Sequence, residues 1–364
     1  MPKLEKITIQ NWRNIELQEL AFSAEINCIC GNNGEGKTNL LDAIYYLSMT
    51  KSAFGPSDKY NFRQGCEEFA LAGTYLREDS IRDKYSLKVN TKGEKKIVQN
   101  GKAYSKISEH IGRLPIVMVC PSDSLLISEG GEDRRRFVSS VMSQMDRSHL
   151  SELQRYNKLL LQRNSLLKSE NCSDEVLESL DYLMDISASK IYESRVKFCE
   201  EIAPRIKFYY DLLSSSRENV ELDYRSDLQK GSLLELLKAG RGKDRMNQYT
   251  GSGIQRDDFI FLMNGTPIRK TGSQGQQKCF LIALKFAQYE IMKSNYGFPP
   301  ILLLDDLFDK LDLSRSERLL EMVCGKEFGQ IFLSDTSMER VLDIIKKFTT
   351  ESLCYKVKNG EFSL

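Results

Sequence analysis

Polar and apolar positions alternate from the first residues. LEKITIQ reads in steps of two, IELQELAF follows, and EINCIC closes into a compact apolar run. That period predicts short β-strands across 4–30. A Gly-rich stretch at 31–36 breaks it, and over 37–49 the residues Leu40, Leu41, Ile44 and Leu47 recur at helical spacing. Residues 69–100 read as a meander of strands. PIVMVC at 115–120 is a continuous apolar run, the pattern of a strand covered on both faces. From 132 to 213 the character is helical: glycine is absent between 132 and 230, and Leu, Lys, Glu and Ser dominate. Residues 148–168 and 174–213 predict an antiparallel helical pair joined by SENCSD, the second member kinked or interrupted at Pro204. A Gly-rich, basic stretch at 239–278 follows. Beyond it the pattern predicts a helix over 274–295, a buried strand over 300–305, a helix over 313–325 and a strand over 329–333. Helix alternating with strand predicts a largely parallel sheet.

Composition narrows the class. With 364 residues, 41% hydrophobic and 28% charged, the chain is large enough for two domains, or for one with an insertion, and is not disordered. Lys and Arg number 52 against 51 Asp and Glu, which argues against a polybasic protein but says nothing of local patches. Two histidines, His110 and His149, leave little room for a multi-histidine zinc site. Nine scattered cysteines, never spaced Cys-x-x-Cys, read as reduced thiols rather than a disulfide framework. No apolar run approaches the ~20 residues of a membrane span, and the N-terminal residues are charged where a signal peptide is apolar. The expectation is a cytoplasmic protein without a membrane partner.

The chemistry begins at Gly31-Asn32-Asn33-Gly34-Glu35-Gly36-Lys37-Thr38, which fits G-x-x-x-x-G-K-[ST] in full. Glycines let the backbone curl so that successive N–H groups face phosphate oxygens. The helix that opens at Lys37 adds its positive end. Lys37 is placed to reach the β- and γ-phosphates and Thr38 to ligand Mg²⁺. The motif follows an apolar strand and opens a helix, the context that distinguishes it from a chance match. A second component lies 268 positions further on. Ile301-Leu302-Leu303-Leu304 predicts a buried strand, and Asp305 and Asp306 end it where ligands bind in open α/β sheets. Asp305 is expected to hold Mg²⁺ and Asp306 to polarise the attacking water. Asp is shorter than Glu, so turnover by Asp306 is expected to be slow.

Between the two lies Ser273-Gln274-Gly275-Gln276-Gln277-Lys278, opening an amphipathic helix with Phe280, Leu281, Leu284, Phe286 and Ala287 inward. Its hydroxyl, free N–H groups and dipole make either an ordinary N-cap or a second anion cradle that grips nucleotide held by another subunit.

GNNGEGKT, SQGQQK, ILLLDD and the following Leu311-Asp312 resemble the motif set of ABC-type ATPase heads: phosphate loop, signature, Walker B strand and D-loop. Within that class the chain resembles the RecF family of bacterial DNA replication and repair proteins. ITIQNWRNIE, GNNGEGKTNLLDAIYYLS, GGEDRRRFV, the Arg-Asp-Asp block at 256–258 and SQGQQK leading into FLIALKFAQ carry the resemblance, from residue 6 to about 336. It implies an α/β fold, a P-loop ABC-type ATPase head with an inserted helical arm domain. Residues 1–120 and 296–364 would form the ATP-binding lobe, and 121–295 a second lobe with the arm and signature. It implies ATP and Mg²⁺ as cofactors. Binding would fall to Arg13, Gly31, Asn32, Asn33, Gly34, Glu35, Gly36, Lys37, Thr38 and Asn39, joined by Ser273, Gln274, Gly275, Asp312 and, as γ-phosphate sensor, Thr336. It further implies a weak DNA-stimulated ATPase and an ATP-dependent homodimer on duplex DNA and single-strand gaps. RecR, and sometimes RecO, would be partners in loading RecA. The chain departs from the family at Gln255, where a histidine is usual, and at Pro121-Ser122-Asp123, where Pro-Glu-Asp is usual.

Charge is segregated. Residues 77–102 and 239–278 each sum to +4, and the rest of the chain to −7. Lys92, Lys95, Lys96, Arg241, Lys243 and Arg245 are the candidate DNA contacts, set against the reading of edge lysines that block aggregation. Arg134, Arg135 and Arg136 belong either to acids such as Glu132 and Asp133 or to DNA. Trp12 reads as packing. Two other functions compete with the DNA clamp: a transporter motor, disfavoured by the 235 positions that separate Thr38 from Ser273 and by no histidine beyond 149, and a scaffold with a vestigial ATPase.

Overall fold

A computed structural model describes residues 2–55, 57–169, 172–214, 218–307, 318–319, 321–323, 325, 328–338 and 351–364. The elements run β1 (Lys3–Trp12), β2 (Ile15–Ala21), β3 (Ile26–Cys30), α1 (Lys37–Met49), β4 (Glu68–Leu76), β5 (Arg82–Asn90), β6 (Lys95–Gln99), β7 (Lys102–Ala103) and β8 (Ile116–Val119). The middle of the chain forms α2 (Leu125–Ser128), α3 (Gly131–Met145), α4 (Arg147–Leu167), α5 (Asp174–Ser214), β9 (Val220–Arg225), α6 (Leu233–Asn247), β10 (Asp258–Met263), β11 (Thr266–Pro267) and α7 (Ile268–Thr271). Then come α8 (Gln274–Tyr296), β12 (Ile301–Leu304), β13 (Ile331–Asp335), β14 (Ser352–Lys358) and β15 (Glu361–Ser363).

The first compact unit comprises Met1–Ser124, Leu212–Ser215 and Gln274–Leu364. It holds two sheets. One is antiparallel, ordered β2-β1-β4-β5-β6-β7. Its strands alternate as expected for one wet face: β5 buries Tyr85, Leu87 and Val89 and exposes the residues between. The other is ordered β15-β14-β3-β13-β12-β8, with β14, β3, β13, β12 and β8 all parallel and β15 antiparallel to β14. Strands β3, β12 and β8 are buried at every position, which is why β12 and β8 read as unbroken apolar runs and β3 as one broken only at Asn27, whose amide is bonded to Ser23. Helix α1 shares a core with both sheets through Leu40, Leu41, Ile44 and Leu47. Trp12, Tyr46 and Phe69 meet edge to face there, with centroids 4.9–5.4 Å apart, so Trp12 is a core residue.

The second unit comprises Leu125–Asp211 and Ser216–Ser273. A three-stranded sheet, β11-β10-β9, accompanies its helices. Helices α4, α5 and α6 share a core of Tyr156, Leu159, Met184, Ile191, Leu233 and Leu237. Buried ion pairs run through it: Arg163 meets Asp181 at 2.6 Å and Asp244 at 2.7 Å, and Arg195 meets Asp257 at 2.6 Å. Helix α5 is continuous over 41 residues with Pro204 inside it, so of the expected kink or interruption the interruption is absent. The side chain of Arg205 donates to the Glu201 carbonyl in the same turn.

The division falls after Ser124 and after Ser273, whereas the sequence placed it after 120 and after 295. Helix α8 therefore goes with the first unit. It is buried almost continuously from Cys279 to Gln288, and Lys285 ties it to β8 by donating to the Met118 carbonyl at 2.9 Å.

Candidate functional site

Strand β3 ends at Cys30 and α1 begins at Lys37; the six residues between must turn within a small radius. Gly34 and Gly36 adopt φ of +84° and +116°, conformations that a side chain disfavours. Gly31 is needed for a different reason: a Cβ there would sit 2.5 Å from the Val357 carbonyl oxygen of β14. Asn32, Asn33 and Gly34 are exposed. Lys37 is buried, and its Nζ donates to the carbonyls of Gly31 at 2.8 Å and Asn32 at 3.0 Å. The ammonium thus lies across the mouth of the loop, where a phosphate would meet it.

The β14–β15 turn braces this loop. The Gly360 N–H donates to the Glu35 carbonyl at 2.8 Å, and the Asn359 N–H donates to the Glu35 carboxylate. Asn14 adds a third support: its Nδ2 donates to the Glu35 carbonyl at 3.1 Å, and its Oδ1 accepts from Asn39 at 2.7 Å. None of these braces is legible in a motif. Asn14 lies in the N-terminal block, and Asn359 and Gly360 form an unremarked turn.

The sheet order joins the two ends of the site. Strand β13 lies between β3 and β12, so the ends of all three strands are neighbours. The Gly31 N–H donates to the Asp335 carbonyl at 3.2 Å. Asp305 follows β12, and the Thr38 hydroxyl lies 3.0 and 2.9 Å from its two oxygens. Ser334 donates to the same carboxylate at 2.6 Å and accepts the Asp306 N–H at 3.0 Å, so one hydroxyl positions both acids. Asp306 has φ +45°, a left-handed conformation that Asp tolerates better than most residues. Burial pushes the Asp305 carboxyl above its ordinary value, opposed by the hydrogen bonds from Ser334 and Thr38.

That environment fits Mg²⁺. A buried carboxylate is costly without a cation, and Thr38 and Asp305 present their oxygens together. No cluster of three acids, thiols or imidazoles that could hold a metal exists among the described residues. Mg²⁺ sites that use one or two protein oxygens plus substrate phosphates have no need of one.

Other expected residues fall variously. The Arg13 guanidinium is tied to Asp42 at 2.5 Å, Asn39 at 3.0 Å and Ser52 at 3.0 Å, so it braces α1 from within and does not project as a free cation. Thr336 is exposed directly after β13, beside the strand end that meets Gly31. The hydroxyl that reaches the carboxylates is Ser334, two residues earlier. Its signal was a lone hydroxyl near the end of the apolar strand Ile331-Phe332-Leu333. Ser273 and Gln274 are exposed where α8 begins, and Gly275 is half-buried in its first turn. Asp312 lies outside the described residues. Asp123 is paired with Lys285 at 2.6 Å, and burial and the α8 contact account for it.

The candidate DNA contacts divide. Lys92, Lys96 and Lys243 are exposed. Lys95 is pinned to Asp58 at 2.7 Å and to the Thr50 carbonyl at 2.8 Å. Arg241 is ringed by Asp174, Glu178 and Asp181 at 3.0–3.4 Å, and Arg245 meets Asp174 at 2.9 Å. These three are engaged by the protein's own acids, from α5 or a neighbouring loop, although Arg245 stays exposed. In the second unit the GGEDRRRFV and Arg-Asp-Asp blocks meet: Arg134 pairs with Asp258 at 2.8 Å, and Arg135 donates to the Asp257 carbonyl at 2.7 Å. Arg136 pairs with Glu132 and Asp133. Gln255 accepts a hydrogen bond from Tyr156 at 2.5 Å.

A family profile described as RecF/RecN/SMC N terminal domain matches residues 3–351. The DNA replication and repair protein RecF of Bacteroides fragilis is 42% identical over 98% of this chain and 97% of its own length. That of Flavobacterium johnsoniae is 43% identical over 94% and 96%. A solved structure of "the recombination mediator protein RecF-ATP in RecFOR pathway" superposes with a TM-score of 0.90 at 29% identity, covering 100% of this chain and 97% of that one. An Smc head domain from Pyrococcus furiosus shares the fold, with a TM-score of 0.57 at 16% identity.

Proposed function

We propose, from the premise that this chain belongs to the RecF family, that it is an ATP-dependent DNA-binding protein of recombinational repair and replication restart. The observation that carries the reading is the meeting of Thr38 and Asp305 across 267 positions, beside a buried lysine that faces the loop carbonyls.

The chemistry follows from that arrangement. The loop N–H groups and the N-terminus of α1 bind the phosphates, and Lys37 neutralises charge on the β and γ groups. Thr38 and Asp305 would hold Mg²⁺, which would supply positive charge against the negative charge of the phosphates. Asp306 orients the attacking water, and its strained backbone, set by Ser334, fixes where its carboxylate points. An Asp in that role is short, and hydrolysis is slow. Ser273, exposed at the start of α8, grips the γ-phosphate held by a second copy of the chain, so two ATP molecules close a dimer. The exposed Lys92, Lys96 and Lys243 contact the DNA backbone. RecR, and sometimes RecO, then acts with the closed dimer to load RecA at single-strand gaps, in the cytoplasm.

Ultracentrifugation of two variants, with ATP and with ADP, tests the shared site. Lys37→Ala is expected to lose nucleotide binding and ATP-dependent dimerisation together. Ser273→Arg is expected to bind ATP as a monomer within about threefold of the parent but to remain monomeric. A Ser273→Arg protein that dimerises normally with ATP overturns the mechanism.

A further inference from the structure

Three thiols gather on β3 and β14. Cys354 is in register with Cys28, these strands being neighbours in the parallel sheet. Cys28 and Cys30, two residues apart on one strand, present the same face. The Cys30 and Cys354 sulfurs lie 3.9 Å apart. Cys28 and Cys30 are buried, whereas Cys354 is half-buried. Nothing in the ATPase chemistry uses them, yet Cys30 is the residue immediately before the phosphate loop.

We propose that Cys30 and Cys354 form a peroxide-oxidisable site whose closure into a disulfide distorts the phosphate loop. Cys354 is the attacking group. It is the more accessible thiol, and hydrogen bonds from Cys28 and Cys30 favour its thiolate, holding it below the ordinary thiol range. Its sulfur displaces hydroxide from hydrogen peroxide, giving a sulfenic acid. The Cys30 thiol then attacks that sulfur, the S–O bond breaks, and water leaves with the Cys30 proton. The two electrons lost by the thiols are those gained by peroxide.

The consequence follows from packing. A disulfide needs its sulfurs about 2.05 Å apart, so closing the 3.9 Å gap draws the Cys30 side chain toward β14 and loads the backbone that continues into Gly31. Gly31 has no room to yield, since even a methyl group there would meet the Val357 carbonyl of β14 at 2.5 Å. The Gly31 carbonyl also accepts from Lys37 at 2.8 Å. Strain at Cys30 therefore passes directly to the groups that would hold phosphate.

The readout of ATP affinity rests on the nucleotide-binding reading above; the cross-link does not. The full-length protein is treated with hydrogen peroxide, mapped by non-reducing peptide mass spectrometry, and its ATP affinity measured before treatment, after it, and after dithiothreitol. The expected result is a Cys30–Cys354 linkage, a fall in ATP affinity of at least tenfold, and recovery on reduction. Cys354→Ser is expected to bind ATP like the reduced parent and to ignore peroxide. A map without that linkage, an ATP affinity unchanged by it, or a Cys354→Ser protein equally sensitive to peroxide overturns the proposal. Reduced parent protein that fails to bind ATP overturns the functional reading alone, because the linkage is mapped without nucleotide.

Discussion

Ser334 is the residue on which the acidic half of the site turns. Its hydroxyl donates to Asp305 and accepts from the Asp306 backbone, so a single atom holds one carboxylate and sets the conformation of the next residue. Hydrogen bonds to charged groups contribute about 1.5–3 kcal/mol. Ser334→Ala is therefore expected to slow hydrolysis about 10- to 100-fold while ATP affinity stays within about threefold, measured by single-turnover kinetics. His149 offers a test of a different kind. It is buried, both ring nitrogens lack a hydrogen-bond partner, and burial and the Arg195 charge push its pKa down to about 4. The unfolded chain, with an ordinary imidazole near 6.5, binds the proton more readily. Stability from this residue is therefore full above pH 6.5 and is lost as pH falls toward 4, amounting to about 2 kcal/mol between pH 7 and pH 5. Urea midpoints at the two pH values check it: His149→Leu is expected to lose that part of the pH dependence.

At the scale of elements, periodicity carried most of the fold. Strands β3, β8 and β12 and helices α1, α4, α5 and α8 lie within a few residues of their apolar patterns, because each buries the face that the pattern marks. The misses have physical causes. Helix α6 carries Gly240 and Gly242 and ends in a basic run, so intrinsic propensity hides a helix held by capping at Ser232 and by burial of Leu233 and Leu237. Pro204 reads as a kink or break, yet α5 continues through it, with Ile202 and Ile206 buried on either side. The phosphate loop was legible because its chemistry demands fixed spacing. Its braces Asn14, Asn359 and Gly360 were not, since a hydrogen bond to backbone asks little of residue type. Arg163 shows what such hidden contacts sustain. It sits fully buried between Asp181 of α5 and Asp244 of α6. Removing one member of a buried pair costs about 3–5 kcal/mol. Arg163→Ala is expected to lose that much in denaturant titration, with protection against proteolysis falling first in α4–α6.

The whole molecule divides its charge as it divides its chain. The basic segments at 77–102 and 239–278 sit on a body that is otherwise slightly acidic. Internal ion pairs occupy Lys95, Arg241 and the exposed Arg245, whereas Lys92, Lys96 and Lys243 are exposed and form no ion pair among the described residues. If Lys92 and Lys96 contact phosphates, the Lys92→Ala/Lys96→Ala protein will bind duplex DNA more weakly at low salt. The slope of log affinity against log salt is expected to flatten by about 2. An unchanged slope would move the DNA contact elsewhere.

The bracing of Glu35 by Asn359 and Gly360 also sets an order of events during synthesis. The loop emerges early from the ribosome, but its wall follows 324 residues later, after every helix of the second unit has been made. Contacts so distant in sequence form late and slowly. Nascent chains therefore carry a phosphate loop without its wall for most of translation, and nucleotide has no finished pocket to enter until the last strands are in place.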